Sequence, residues 1–411
     1  MRSSPHGQRA LGSLPPGFSR LSVMVTIFTT AATIAALSVG LRSVNPITLV
    51  KAVIPGQSSA PAADPPTSAT ASPPAGAQSP EQDTLMANVD ARAGHRQVVV
   101  SWTEASIPSA RIAASIVGED GSRSKKSCIA TAGKCSFQDL TDGVEYVVTV
   151  KQKLGRTTLA TKTVRAIPHP GILTGRFARL WFDAADSQSL RSNSGSAARK
   201  PGTGVKQWMD RSGLGSDAGQ VVTGSQPTLT TLNGHSALAF SGKSFLSLPA
   251  TTLPIGSESS AVYLVVRQQD PVPDVSCFRV ALAWGSGQNN SARLVHKGCG
   301  TPLAFAETFG TWVATYPTQP WPQKQTAILR ANYTAAGVEV ELNGKPSYAW
   351  KTSTAFPLAT ASAPTATIGG AEWDPNGAWL GKIAEVIVLS SIPSPGQDDD
   401  IQTYLSRKWG A

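Results

Sequence analysis

Glu339 and Glu341 are the residues whose spacing most directly suggests chemistry. In the run Val338-Glu339-Val340-Glu341-Leu342, a strand would place both carboxyls on one face, roughly 6–7 Å apart. That separation suits a pair acting on a glycosidic bond. The same run supports a plainer reading. Asn343-Gly344 makes a tight hairpin turn, Val338, Val340 and Leu342 form the buried face, and both glutamates point to solvent. No residue is therefore assigned a catalytic role. The second candidate is the segment holding Trp312, Tyr316 and Trp321 among Pro317, Pro320 and Pro322. Prolines forbid a central strand, and flat rings on a loop are what sugars and proline-rich peptides stack on. These three aromatics are the expected ligand contacts; alternatively, Trp312 and Tyr316 cap a core and Trp321 begins a strand. The five histidines, His6, His95, His169, His235 and His296, show no metal spacing. Serine-nucleophile motifs and phosphate-binding glycine loops are missing as well. Neither a metal nor another cofactor is expected.

The elements that must position such residues follow from the whole chain. Its 411 residues suggest two or three domains, and 37 glycines with 30 prolines suit β-rich units joined by turns and a linker. The net charge of +10 is scattered, with no run of five basic residues, so nucleic acid is not an expected partner. Residues 21–41 carry no charge and no proline, and the run is long enough to span a bilayer as a helix. Arg2, Arg9 and Arg20 precede it, which assigns residues 1–20 to the cytoplasm. The rival is a cleaved signal peptide, with Ala36 and Ser38 as small residues before the cut. Either way the remainder leaves the cytoplasm: a single-pass cell-membrane protein is expected, with secretion as the alternative. Residues 42–84 read as a disordered linker rich in proline, alanine and serine. The four cysteines then fall as two pairs without CxxC spacing, and are expected as disulfides Cys128–Cys135 and Cys277–Cys299.

From residue 85 the texture becomes short β-type runs: QVVVSW at 97–102, Ala110–Val117, Cys128–Ala130 and Cys135–Phe137 flanking a hairpin-like turn, and LTDGVEYVVTV at 140–150. Tyr146, six residues after Leu140 with a glycine turn between, resembles the tyrosine corner of sandwich domains. With AIP at 166–168, the segment 85–168 resembles a fibronectin type III domain, which implies a spacer role. A larger unit, 176–411, opens with LWFDAAD at 180–186 and QWMDRSG at 207–213. It continues through NGHSALAFSG at 233–242 and ends with LGKIAEVIVL at 380–389. In this order the motifs resemble the concanavalin A-like, laminin-G type sandwich of bacterial surface proteins. That family includes glucanases, whose acidic pattern E-x-D-x-E is broken here by Glu341 and Asn343. A final helix follows from the capping box Ser394–Gln397, with Pro395 at its first position and Asp398, Asp399 and Asp400 in its first turn. Arg407 and Lys408 stand in the last turn and Gly410 at the stop.

The expected fold class is all-β: a small fibronectin type III sandwich plus a larger concanavalin A-like β-sandwich, after a transmembrane helix and a proline-rich linker. The expected function is non-catalytic binding or adhesion, with a glycan or a surface protein as ligand and the membrane as a further partner through residues 21–41. A glycoside hydrolase-like enzyme on the same fold is the alternative, and a purely structural surface module is another.

Overall fold

A computed structural model describes residues 86–411, apart from 104–106, 108, 122–127, 130–132, 250, 252, 255–257, 270–278, 287–290, 298–303, 309–323, 336, 352–364 and 371–376. Strands β1 (Ala87–Gly94), β2 (Gln97–Thr103), β3 (Arg111–Gly118), β4 (Cys128–Ile129), β5 (Lys134–Phe137), β6 (Tyr146–Leu154) and β7 (Thr157–Ala166) build the smaller part. They form two sheets, β1-β2-β5 and β4-β3-β6-β7. Period-two alternation sends Val98, Val100, Trp102, Ile116, Phe137, Val148 and Val150 into one core between them. Tyr146 is buried there, and its hydroxyl accepts from Thr141 N at 3.0 Å, as the corner motif leads one to expect. Among the described residues, the two arms of the expected hairpin around residues 131–134 do not pair with each other, and residues 130–132 lie outside those described. β4 pairs with β3 and β5 pairs with β2, so the chain crosses between sheets at that point.

The larger part begins with β8 (Ala178–Asp183), β9 (Leu190–Arg191), β10 (Gln207–Trp208), β11 (Ala218–Gly219), β12 (Thr228–Leu232), β13 (His235–Ser241), β14 (Leu246–Pro249) and β15 (Ser260–Gln268). It continues through β16 (Arg279–Ser286), β17 (Ser291–Lys297), β18 (Ala304–Thr308), β19 (Ala327–Thr334), β20 (Gly337–Leu342), β21 (Lys345–Lys351), β22 (Thr365–Ile368) and β23 (Leu380–Leu389), then α1 (Pro395–Trp409). One sheet runs β18-β17-β16-β22-β14-β11-β10-β9. The other runs β12-β13-β23-β15-β19-β20-β21, with β8 also on β23. Their inner faces share a core that includes Phe182, Trp208, Phe240, Trp284, Tyr333 and Trp379. The outer face of the second sheet is covered by α1 through Ile401, Tyr404, Leu405 and Trp409, which meet Trp181, Tyr263 and Ile387. The described chain is thus mostly β-sheet with a single α-helix.

Most local signals act as the sequence implies, although of the three aspartates expected in the first turn of α1 only Asp398 falls there. Asn343 and Gly344, at φ 51° and 69°, close a two-residue turn in which Leu342 faces Lys345. Ser394 Oγ accepts from Gln397 N while Gln397 Oε1 accepts from Ser394 N, and Gly410 ends α1 in the left-handed region. The expected membrane placement is corrected: among the described residues no helix is long and apolar enough to cross a membrane. The run 21–41 and the linker 42–84 lie outside those residues.

Candidate functional site

The two sandwiches fall in one compact unit, Gly76–Ala411, and meet where the turn Thr141-Asp142-Gly143 abuts α1. Gly143 has φ +83°, and a Cβ there would stand 2.6 Å from the Tyr404 carbonyl oxygen, so both conformation and space require glycine. His169 packs edge-on against Trp181 with ring centroids 4.5 Å apart, a second contact between the parts. Burial holds the His169 imidazole below its ordinary range, against the raising effect of the Pro170 and Ala93 carbonyls.

Beside this junction lies a groove of about 320 Å³ lined by His95, Arg96, Asp139, Leu140, Thr141, Asp142, Asp400, Thr403, Tyr404 and Arg407. Its fixed point is Asp142, whose Oδ2 is 2.8 Å from His95 Nδ1 and whose Oδ1 accepts from Arg96 N at 2.8 Å. Donation from Nδ1 sets the tautomer and makes Nε2 the acceptor nitrogen of the neutral ring. The carboxylate is held while the imidazole stays half-exposed. The helix contributes Asp400, Thr403 and Arg407 from one exposed face, as spacing of three and four residues dictates. The lining therefore mixes carboxylate acceptors, guanidinium donors and hydroxyls that do both.

The sequence candidates separate. Val338, Val340 and Leu342 are buried and Glu339 is exposed, as expected. Glu341 departs from expectation: it pairs with Arg330 Nη1 at 2.7 Å and accepts from Gln402 Nε2 at 3.2 Å, because α1 crosses that face. Trp312, Tyr316 and Trp321 lie outside the described residues, as do Cys277 and Cys299. Cys135 is disulfide-bonded. Among the described residues no group of three or more His, Cys, Asp or Glu could hold a metal ion.

Two polar groups under α1 escaped the sequence reading. Asp398 takes up Tyr263 Oη and Arg330, and Asp183, Glu385 and Lys408 come together in the interior. A lone glutamate inside the apolar run IAEVIVL was the only signal for the second group.

No family model matches the chain, and no curated protein matches it. Solved structures do. One is domain 4 of a GH43 extracellular arabinanase from Geobacillus stearothermophilus, in complex with arabinotriose. It is 15% identical over 55% of this chain and 98% of that one, with TM-score 0.38. A GH54 α-L-arabinofuranosidase mutant is 12% identical over 57% of this chain and 62% of that one, with TM-score 0.40. The Trypanosoma rangeli sialidase with the inhibitor DANA is 9% identical over 78% of this chain and 62% of that one, with TM-score 0.36. No residue role is transferred at these scores. The expectation that the chain is not an enzyme is nevertheless withdrawn, since glycoside hydrolases recur among the matches. The chain is similar to β-rich structures from glycan-acting proteins.

Proposed function

We propose that the protein is carbohydrate-directed and takes a sugar of one or two rings in the groove between the Asp139–Asp142 turn and α1. The observation that carries this reading is the lining. Neighbouring hydroxyls on a sugar each offer a donor and an acceptor, and carboxylates beside guanidinium groups satisfy both at once. The volume of about 320 Å³ is at the small end of ligand pockets. Three carboxylates, Asp139, Asp142 and Asp400, line it, so the reading covers turnover as well as retention. The resemblances to fibronectin type III over 85–168 and to the laminin-G type sandwich over 176–411 belong to the same proposal. So does stacking of a longer glycan on Trp312, Tyr316 and Trp321. Titration of the full chain with an oligosaccharide panel, followed by ligand-observed NMR and by release of reducing ends, tests it. Signals lost on Arg407→Ala with folding intact support the groove; wild-type silence across the panel removes the proposal.

A further inference from the structure

Beneath α1, besides the Tyr263, Arg330 and Glu341 contacts near its N-terminus, the sheet face carries one further charged cluster. Glu385 on β23 and Asp183 on β8 are direct cross-strand neighbours. The β15–β23 ladder shifts register so that Val265 faces Glu385 while Val266 faces Ile383. This bulge inserts Ala384 and aims Glu385 toward the helix instead of the inner core. Two carboxylates opposed in a dry site repel. Lys408, from the last turn of α1, reaches between them: Nζ is 2.7 Å from Asp183 Oδ1 and 2.8 Å from Glu385 Oε2. The Lys408 and Glu385 side chains are fully out of solvent and Asp183 is 11% exposed. Tyr404 and Trp409 wall the site, their ring centroids 5.0 and 5.1 Å from the amine.

As a plain ion pair this arrangement is a costly way to seat a helix. Desolvating three charges commonly cancels their attraction, and apolar residues of the same volume would serve as well. Its particular geometry is that of amide formation. An amine is held against a carboxyl group, a second carboxylate touches the same amine, and the surroundings exclude the water that would reverse the reaction. Such enforced contact replaces the entropy of a bimolecular encounter.

We propose that Lys408 and Asp183 join in an intramolecular isopeptide bond, with Glu385 as the proton carrier. The distances divide the roles. Glu385 Oε1 accepts from Trp181 Nε1 at 2.8 Å and Tyr404 Oη at 2.9 Å, and Oε2 accepts from Lys408 Nζ and from Trp409 Nε1 at 2.7 Å. These four donors hold it in place as a base and leave Asp183 as the acyl group. Burial pushes the Glu385 carboxyl above its ordinary range, which suits a group that must take and return a proton. Burial opposes the Lys408 ammonium, but the two carboxylates outweigh it and hold the amine charged, so its proton must leave to a group in contact. Lys408 Nζ also donates to Tyr404 Oη at 2.7 Å, which gives a second route to Glu385 Oε1. In the reaction Glu385 takes a proton from the ammonium, Nζ attacks the Asp183 Cγ, and the C–N bond forms. Glu385 returns that proton to the departing oxygen and then relays a second proton from the nitrogen to the same oxygen, the C–O bond breaks and one water leaves. Ammonium and carboxylate become amide and water, with no oxidant, reductant or co-reactant.

Mass spectrometry of the full chain, after reduction of disulfides and digestion, decides the matter. The expected product is one branched peptide joining the Asp183 segment to the Lys408 segment, lighter by one water than the sum of the two. Glu385→Gln should lose the branched peptide and leave two linear ones; Lys408→Arg should do the same. The wild-type digest stands on its own if either variant folds poorly. Linear peptides for both segments in wild type, with no branched species, would overturn the proposal. A branch through Glu385 in place of Asp183 would overturn the division of roles.

Discussion

Replacing Asp398 by alanine separates a carboxylate built into the fold from the solvated ones beside it. Asp398 lies in the first turn of α1, is 8% exposed, and accepts from Tyr263 Oη at 2.5 Å, Arg330 Nη1 at 2.8 Å and Gln402 Nε2 at 3.0 Å. Removing it strands the hydroxyl of the fully buried Tyr263, a loss of about 1–3 kcal/mol. Arg330 keeps Glu341, so its share is smaller, about 1 kcal/mol. Losing a first-turn carboxylate adds about 0.3–1 kcal/mol from the helix dipole. The expected total is about 3 kcal/mol, against less than about 0.5 kcal/mol for the exposed Asp399→Ala. Urea melts of the full chain followed by tryptophan fluorescence measure both. Tyr263→Phe in the Asp398→Ala background should recover about 1 kcal/mol by removing the stranded hydroxyl. Equal costs for Asp398→Ala and Asp399→Ala, or no coupling with Tyr263, would refute the reasoning.

Other outcomes follow from the same geometry. Because burial depresses the His169 imidazole, the unfolded chain binds a proton near pH 6.5 that the folded chain refuses, so stability falls as pH drops below that value. The half-buried His235, also lowered by burial, acts in the same direction. The urea midpoint should fall between about pH 7.5 and 5.5, and His169→Gln should flatten part of that slope; an unchanged slope contradicts the assignment. Non-reducing peptide mapping should place Cys128 as the partner of the oxidised Cys135, tying the two sheets of the small sandwich; a free Cys128 thiol would contradict this. Gly143→Val should loosen the junction while leaving each sandwich folded, raising protease sensitivity around residues 166–176; unchanged cleavage would count against the close packing.

Much of the fold was legible because it rests on local rules. The capping box at Ser394, the stop at Gly410 and the turn at Asn343-Gly344 need only a few neighbouring residues to specify them. Alternation likewise gives β2, β6 and β20. What escaped depends on distant partners. Lys408 reads as a dipole-compensating cation, yet α1 turns it inward onto Glu385. Glu385 has no visible reason to be buried until the bulge re-aims it. The strands flanking the hairpin expected between Cys128 and Cys135 pair instead with β3 and β2, in different sheets, and those partners are distant in sequence. The groove joins residues near 95 and 140 to residues near 403, and no spacing rule connects these.

The most direct measurement of the central claim is oligosaccharide titration of the full chain beside a variant that fills the groove, Thr403→Trp. Thr403 is exposed and takes no part in the core. The account predicts that wild type binds or cleaves at least one oligosaccharide of the panel, and that Thr403→Trp abolishes the effect with its urea midpoint unchanged. Binding or cleavage that persists in Thr403→Trp would contradict it, as would a wild-type chain inert to every sugar offered.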